Sequence, residues 1–344
     1  MNNQKPTILI TGGAGFIGSN FITYFLQEHS EYQLVNIDKL TYAGSTENLN
    51  EIKDLPNYHF INGDIADEQL VKSIFSDFPI SGVIHFAAES HVDRSIQDAK
   101  QFVEANVVGT TVLLQAARNA WERLGVLHER RFHQISTDEI YGSLDETGKF
   151  NEQTPYNPRN PYSASKASAN LLVKSFGYTY GMNIVISSSS NNYGPRQHEE
   201  KLIPTIIAKA LSLESIPIYG DGKNIRDWLY VTDHCQALDF VYHHGNTMET
   251  YNIGGGNELT NIEVAIKICQ ILDQLKPDIK ARASIEYFAD LITYTEDRPG
   301  HDRRYAVDDT KTRKTLGWKP VMTFEQGIRQ TVEWYVNKWE KVTH

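Results

Sequence analysis

The chain has 344 residues, 40% of them hydrophobic, and a formal net charge of −10. That length is long for a single core, so two closely joined lobes are expected. The composition is typical of a folded soluble protein. The negative charge argues against a broad surface for nucleic acid or an anionic membrane, so an anionic ligand would need local basic contacts.

The two cysteines, Cys235 and Cys269, lie in apolar, helix-like surroundings and are predicted to be buried free thiols. Two cysteines cannot form a disulfide framework, which is typical of a reducing compartment. The first six residues are polar and carry no signal-peptide pattern, and no apolar run is long enough to span a bilayer. We therefore expect a cytoplasmic protein without a membrane partner.

Short apolar runs alternate with helical patterns through the first half of the chain. Strands are predicted at residues 7–10, 34–37, 59–61, 82–87, 132–136 and 183–189. Helices are predicted at residues 16–28, 69–75, 103–121 and 162–180. This alternation predicts an α/β fold with a doubly wound, parallel, Rossmann-type sheet, in which ligands bind beyond the carboxyl ends of the strands.

The chain changes character near residue 191, where elements become shorter and loops richer in Gly, Pro and Asn. We therefore assign residues 1–190 to a Rossmann domain that also carries the reactive residues. Residues 191–344 are assigned to a smaller, mixed lobe that binds the substrate, with some exchange of chain between the two lobes.

Gly12, Gly15 and Gly18 follow the first predicted strand and open the first helix. Glycines there permit a tight turn and a close approach of backbone to phosphate, and the helix N-terminus supplies free N–H groups. The spacing G-x-x-G-x-x-G differs from the commoner G-x-G-x-x-G, and a plain glycine turn is the alternative. The strand–turn–helix context favours a dinucleotide site.

Asp38 ends the second strand about 20 residues after the glycines, where an acid binds the adenosine ribose hydroxyls. An acid repels a 2′-phosphate, so NAD is favoured over NADP. Asp64 and Ile65 follow the third strand and are placed to cap the adenine, although Asp64 taken alone would more often be a turn residue.

Tyr162 and Lys166 are four residues apart on a predicted helix and share one face. Ionising a free tyrosine at neutral pH costs about 4 kcal/mol, and an ammonium group about 4 Å away returns a similar amount. The pair, helped by a nicotinamide cation, is predicted to make Tyr162 a usable base.

Thr137, Asp138 and Glu139 stand at the end of the fifth predicted strand. Successive strand residues point to opposite faces, so the backbone must leave regular pleating if both acids are to reach one ligand. Tyr141 and Gly142 make such a turn plausible. A solvated acidic loop is the alternative. Two carboxyl groups with separated pKa values would supply one acid and one base.

Six motifs together resemble the dTDP-glucose 4,6-dehydratase family of extended short-chain dehydrogenases. They stand at residues 12–18, 87–95, 137–142, 162–166, 191–195 and 297–302, so the resemblance covers nearly the whole chain. The glycine and Tyr/Lys motifs mark the superfamily, and the triplet Thr137, Asp138 and Glu139 marks the family.

The resemblance implies NAD as the cofactor and dTDP-glucose as the substrate. Tyr162 would take the C4 hydroxyl proton, tuned by Lys166, and Thr137 would orient the C4 oxygen. Glu139 would remove the C5 proton, and a protonated Asp138 would donate to the departing C6 hydroxyl. The product would be a 4-keto-6-deoxy sugar, used in pathways such as rhamnose synthesis.

The resemblance also implies two sets of binding residues. The cofactor set is Gly12, Gly15, Phe16, Ile17, Gly18, Asp38, Lys39, Thr41, Asp64, Ile65, Ala87, Ala88, Ser90, Tyr162, Lys166 and Asn192. The substrate set is Ser90, Thr137, Asn191, Lys201, Leu202, Pro217, Tyr219, Arg226, Asn261, Asp297, Arg298 and His301. Arg226 and Arg298 have the planar fork that grips phosphate, although surface solvation is the usual fate of arginine.

His91 and His301 show no metal-ligand spacing with a cysteine or an acid, so no metal is expected. Family members pair the helices predicted at 103–121 and 162–180 in a homodimer, so a homodimer is expected here, although an apolar stripe on these helices could simply pack on the sheet.

Two other functions remain open. A UDP-sugar 4-epimerase would use Tyr162 and NAD without loss of water, and Asp138 and Glu139 argue against it. A non-catalytic dinucleotide-binding protein would need none of Tyr162, Lys166, Asp138 and Glu139.

Overall fold

A computed structural model describes residues 5–297 and 300–343. Seven strands form one parallel sheet in the order β3-β2-β1-β4-β5-β6-β10. Their bounds are β1 Thr7–Thr11, β2 Gln33–Asp38, β3 Tyr58–Asn62, β4 Ile80–His85, β5 Arg131–Thr137, β6 Asn183–Ser189 and β10 Thr250–Ile253. The order reverses direction between β1 and β4, where a doubly wound sheet opens a crevice at its carboxyl edge.

Five further strands form two small sheets. β7 Asn191–Tyr193, β9 Ile225–Tyr230 and β11 Glu258–Thr260 make one, and β8 Ile216–Tyr219 and β12 Ile292–Thr295 make the other. The helices are α1 Phe16–Glu28, α2 Glu68–Asp77, α3 Val92–Gln97, α4 Ala99–Val103, α5 Gly109–Arg123, α6 Pro161–Tyr180, α7 Leu202–Leu211, α8 Val231–His244, α9 Asn261–Leu275, α10 Pro277–Ala283, α11 Thr310–Leu316 and α12 Phe324–Thr343.

The large sheet is covered on both faces because its strand residues alternate in direction. Along β1, Ile8 and Ile10 pack into a core with α1 and α8, whereas Leu9 packs into a core with α2, α5 and α6. The predicted α/β fold, with a doubly wound parallel sheet, is confirmed. Cys235 and Cys269 are buried free thiols, as predicted.

A third core lies among α7, α9 and α12 and the small sheets. Three described elements that follow residue 190, namely β10, α8 and α11, do not join it. β10 extends the large sheet beside β6, and α8 packs against α1 on that sheet. The carboxyl edge of the large sheet is thereby flanked by strands and loops from both halves of the chain.

Two predicted elements differ from the structure. The strand predicted at 82–87 is β4, which ends at His85. Phe86 continues the apolar run of the sequence beyond the strand, and its ring packs 5.2 Å from that of Phe21. The helix predicted at 103–121 is interrupted by a π-helical segment, Glu104–Val108. This wider turn carries the buried Asn106, which donates to the Glu89 carbonyl and to Ser165 Oγ. Apolar periodicity alone does not register either feature.

Candidate active site

A cavity of about 560 Å³ opens at the carboxyl edge of the large sheet. It is lined by every residue predicted to be catalytic or to bind the cofactor. These are Gly12, Gly15, Phe16, Ile17, Gly18, Asp38, Lys39, Thr41, Asp64, Ile65, Ala87, Ala88, Ser90, Thr137, Asp138, Glu139, Tyr162, Lys166 and Asn192. Asn191 and Lys201 of the predicted substrate set line it as well.

The glycine turn at one end of the cavity has room for hydrogen atoms only. Gly12 has φ +72°, and a Cβ there would lie 2.6 Å from the Ala87 backbone. A Cβ on Gly18 would lie 2.4 Å from the Gly12 carbonyl oxygen. Gly15 begins α1 as its N-cap and offers no side chain to its first-turn amides. A close-packed turn leading into amides that lack a side-chain cap fits the pyrophosphate of a dinucleotide.

Asp38 stands beside this turn at the end of β2. Its carboxylate accepts hydrogen bonds from the Ala14 and Leu40 amides, at 2.8 Å each. Burial raises the pKa of Asp38, and the two amide bonds oppose that rise. The rigid carboxylate is positioned at the strand end where a ribose would bind. Lys39 is paired with Asp64 across 2.6 Å at the same wall.

Tyr162 and Lys166 lie one turn apart at the start of α6. The helix starts here because Asn160 and Ser163 form a capping box and Pro161 occupies the first turn. Both side chains are buried, and Lys166 Nζ donates to the Ile135 carbonyl at 2.7 Å. Burial lowers the pKa of Lys166 to about 8.

The prediction that Lys166, helped by a nicotinamide cation, makes Tyr162 a usable base stays a prediction. Burial raises the pKa of Tyr162, the charge of Glu139 raises it further, and a hydrogen bond with Thr137 only opposes the rise. The usual cost of ionising a tyrosine is that of a phenol in water, whereas the fold removes that solvation. The positive charge of a nicotinamide ring, which the prediction includes, would lower the pKa of Tyr162.

Thr137 ends β5, and Asp138–Tyr141 form a 3₁₀ turn, so the chain leaves the pleat where the sequence required it. Gly142 ends the turn at φ +94°. Thr137 Oγ1 accepts the Glu139 amide at 3.3 Å and donates to Asp138 Oδ1 at 3.4 Å. The turn therefore directs Asp138 and Glu139 into one cavity and excludes the solvated-loop alternative.

The two carboxyl groups sit in unequal electrostatic surroundings. Burial raises the pKa of Asp138 well above its usual range, and the charges of Glu139 and Asp227 add to the rise. Burial also raises the pKa of Glu139, but the cations Arg226 and Lys201 pull it down. The arrangement can hold one proton on Asp138 while Glu139 carries the charge.

Seven predicted substrate residues lie outside the cavity lining: Leu202, Pro217, Tyr219, Arg226, Asn261, Asp297 and His301. Arg226 is buried on β9, with its guanidinium 4.4 Å above the Tyr305 ring, so surface solvation is excluded for it. Asp297 Oδ1 lies 2.6 Å from His301 Nδ1. Arg298 lies outside the described residues.

Sequence reasoning missed several residues of the cavity wall. Glu89 is buried, and burial raises its pKa. Glu200 lies 3.4 Å from His91 and 3.5 Å from Lys201. Both acids directly precede predicted site residues, Ser90 and Lys201, so adjacency was the available signal.

A family model described as GDP-mannose 4,6 dehydratase matches residues 9–331. A dTDP-glucose 4,6-dehydratase of Haemophilus influenzae is 50% identical over 332 residues, which cover 96% of this chain and 97% of the relative. The chain belongs to the dTDP-glucose 4,6-dehydratase family. The family assignment made from the motifs is therefore confirmed.

Solved structures agree with this family. A dTDP-glucose 4,6-dehydratase of Bacillus anthracis, crystallised with NAD, has a TM-score of 0.84 and 42% identity, covering 97% of this chain and 98% of its own. A UDP-glucose 4-epimerase of Thermotoga maritima has a TM-score of 0.83 at 29% identity, covering 97% and 99%. The dehydratase family thus shares its fold with epimerases and is distinguished by sequence. Within residues 5–297 and 300–343, no helix combines the length and apolarity needed to cross a bilayer.

Proposed function

We propose that this chain converts dTDP-glucose into dTDP-4-keto-6-deoxyglucose, using NAD that is regenerated in each cycle. The observation that carries the proposal is the turn after β5, which directs Asp138 and Glu139 into the cavity that Tyr162 lines. An epimerase needs the tyrosine and NAD, whereas removal of water needs a second base and an acid as well.

The first step is oxidation at C4. When bound, NAD would supply the acceptor for the C4 hydride and, once reduced, the hydride donor for C6, and its oxidised ring would bring a positive charge. Tyr162 takes the proton of the C4 hydroxyl, and Thr137, which hydrogen-bonds the phenol, orients the C4 oxygen. Lys166 is fixed against the Ile135 carbonyl, from where its ammonium favours the phenolate.

The second step is elimination across C5 and C6. The new C4 ketone acidifies the C5 hydrogen, which Glu139 removes as a carboxylate. Asp138 supplies its proton to the departing C6 hydroxyl, so water leaves. The surroundings of the two groups support this division. Arg226 acts on both carboxyl groups, but Lys201 also favours the charged form of Glu139, whereas the charges of Glu139 and Asp227 favour a protonated Asp138.

The nucleotide end of the substrate needs cations in a chain of negative net charge. We assign Lys201 and Arg226 to the inner part of this end, and Tyr219, Asp297 and His301 to its outer part. Ser90, Asn191, Leu202, Pro217, Asn261 and Arg298 complete the proposed substrate set. We also propose that the chain has two lobes, residues 1–190 and 191–344, and that it forms a homodimer.

The decisive experiment is incubation of the purified protein with dTDP-glucose in deuterated water. The expected product is lighter by one water, carries solvent deuterium at C5 and has received the C4 hydrogen at C6, as read by mass spectrometry and NMR. Glu139→Gln removes the proposed base and should abolish the incorporation of deuterium at C5. A C4 epimer of unchanged mass would replace the proposal with an epimerase.

A further inference from the structure

A group of metal-ligating side chains lies away from the cavity, where α1 packs against α8. It consists of His29, Asp239 and His243, which we call the His–Asp–His cluster. His29 is the C-cap of α1, at the end of that helix opposite the glycine turn. Asp239 and His243 are one turn apart on α8 and share one face. The proposed dehydration uses none of the three.

The donor atoms of the cluster already converge. His29 Nε2 lies 3.0 Å from both oxygens of Asp239, and His243 Nδ1 lies 2.8 Å from Asp239 Oδ1. One ligand atom from each residue lies within 4.8 Å of the other two. Zinc bonds to nitrogen and oxygen at about 2.0–2.2 Å, so its tetrahedral ligands stand slightly more than 3 Å apart. Two of the three donor pairs already stand near that spacing, at 3.0 and 2.8 Å, and His243 Nδ1 would turn to the ion from the Asp239 carbonyl oxygen, which lies 3.1 Å away.

The far nitrogens of both imidazoles also face acceptors. His29 Nδ1 lies 3.5 Å from a Glu31 carboxylate oxygen, and His243 Nε2 lies 3.3 Å from the Tyr32 hydroxyl. Metal-binding histidines characteristically donate their second N–H to such a partner, which fixes the tautomer and aims the free nitrogen at the metal. Tyr24 holds the carboxylate from a third side, with its hydroxyl 3.3 Å from Asp239 Oδ2. These outer contacts resemble a built site more than a chance ion pair.

The cluster is buried enough to be ordered and open enough to be filled. The Asp239 side chain is 11% exposed, and the side chains of His29 and His243 are 22% exposed each. A cation can therefore enter from solvent and keep water as a fourth ligand. Two imidazoles and one carboxylate suit zinc or a similar transition metal, whereas calcium and magnesium prefer oxygen ligands alone.

We propose that His29, Asp239 and His243 bind one zinc ion and fasten the C-terminal end of α1 to α8. Because α1 begins at the glycine turn, the ion secures the helix whose other end faces the cofactor cavity. This proposal differs from the prediction that no metal is bound. The sequence gives no signal for the site, because His29 and Asp239 are 210 residues apart and no ligand spacing links them.

The test uses purified protein treated with EDTA and then titrated with cobalt(II) and with zinc chloride. We expect one cobalt per chain with the visible absorption of a low-symmetry site, displacement of that cobalt by zinc, and a thermal midpoint raised by roughly 3 °C at zinc concentrations 100-fold above Kd. His243→Gln and His29→Asn should each weaken zinc binding by more than about 10-fold. His244→Gln, at the neighbouring histidine of α8, is the matched control and should bind as the parent does.

Equal zinc affinity in parent, His29→Asn and His243→Gln would overturn the proposal, and so would cobalt bound without the absorption of the site. His29→Asn and His243→Gln alter partly exposed side chains. The cobalt spectrum is recorded on the parent protein, so it does not depend on whether these variants fold. Either negative result would leave the cluster as an ion pair between α1 and α8.

Discussion

At the scale of single residues, burial sets the chemistry of the site. Burial raises the pKa of both Asp138 and Glu139, but Lys201 opposes the rise at Glu139, whereas the charges of Glu139 and Asp227 add to the rise at Asp138. Tyr162 and Lys166 lose solvation together, which disfavours the charged form of each.

Asp138→Asn should impair elimination more than oxidation. The amide cannot donate an acidic proton to the departing hydroxyl, so loss of water should slow by about 100-fold or more. Oxidation should persist, so reduced nicotinamide should accumulate in single-turnover absorbance traces. Asp77→Asn, at an exposed position, is the control. Equal loss of both steps would remove the acid role from Asp138.

Lys166→Met should change the pH dependence of stability. The folded-state pKa of Lys166 is about 8, against a usual 10.5. Below pH 8 both states hold the proton, and the fold bears the full cost of a buried ammonium. From pH 8 to 10.5 the unfolded state binds more of the proton, so this cost fades as pH rises.

The free energy of unfolding of the variant should therefore exceed that of its parent by the largest amount below pH 8. That advantage should shrink by about 3 kcal/mol as pH rises to 10.5. Urea unfolding of both proteins across this window measures the difference. Lys53→Met, at an exposed position, controls for removal of a charge. A difference independent of pH would show that Lys166 is not buried as an ammonium.

At the scale of elements, the cavity depends on places where regular structure stops. The glycine turn joins β1 to α1, the 3₁₀ turn follows β5, and the π-helical segment precedes α5. Each of these three segments directs a side chain or a backbone amide away from the direction that a regular strand or helix would give it. Such interruptions concentrate at functional sites because regular elements bury their polar groups among themselves.

Gly12→Ala should harm both stability and NAD binding. Gly12 and Gly125 have nearly equal φ, +72° and +69°, but a Cβ meets the Ala87 backbone at the first position and nothing within 4 Å at the second. Gly125→Ala should therefore cost about 1–2 kcal/mol for the backbone conformation alone. Gly12→Ala should cost about 2 kcal/mol more through the clash.

Urea unfolding gives the two stabilities, and fluorescence titration gives the NAD affinity, which should fall by about 10-fold or more in Gly12→Ala only. Equal behaviour of the two variants would mean that close packing at Gly12 is not needed.

At the scale of the whole molecule, α6 leaves an apolar stripe uncovered. Leu171 and Tyr178 are seven residues apart on its outer face and are 58% and 80% exposed. Val103 and Val108, just before α5, are 48% and 40% exposed. The predicted homodimer would bury this stripe.

Leu171→Glu and Tyr178→Glu should each shift a dimer of about twice 39.1 kDa towards a single chain. Light scattering after size-exclusion chromatography measures the mass. Tyr294→Glu alters a side chain on β12 that is 60% exposed and should leave the mass unchanged. A parent protein of 39.1 kDa would refute the dimer.

The sequence determined the doubly wound sheet, the glycine turn, the reactive pairs and the family, because these depend on local periodicity and on motifs contiguous in the chain. Only the tertiary structure decided how burial shifts the pKa of Tyr162, that the charge of Arg226 acts on both carboxyl groups, and that Glu89 and Glu200 join the cavity wall. It alone brought His29 to Asp239 across 210 residues. Solvation and electrostatic interactions depend on all the residues that surround a group in space, whereas a sequence pattern shows only which residues are adjacent in the chain.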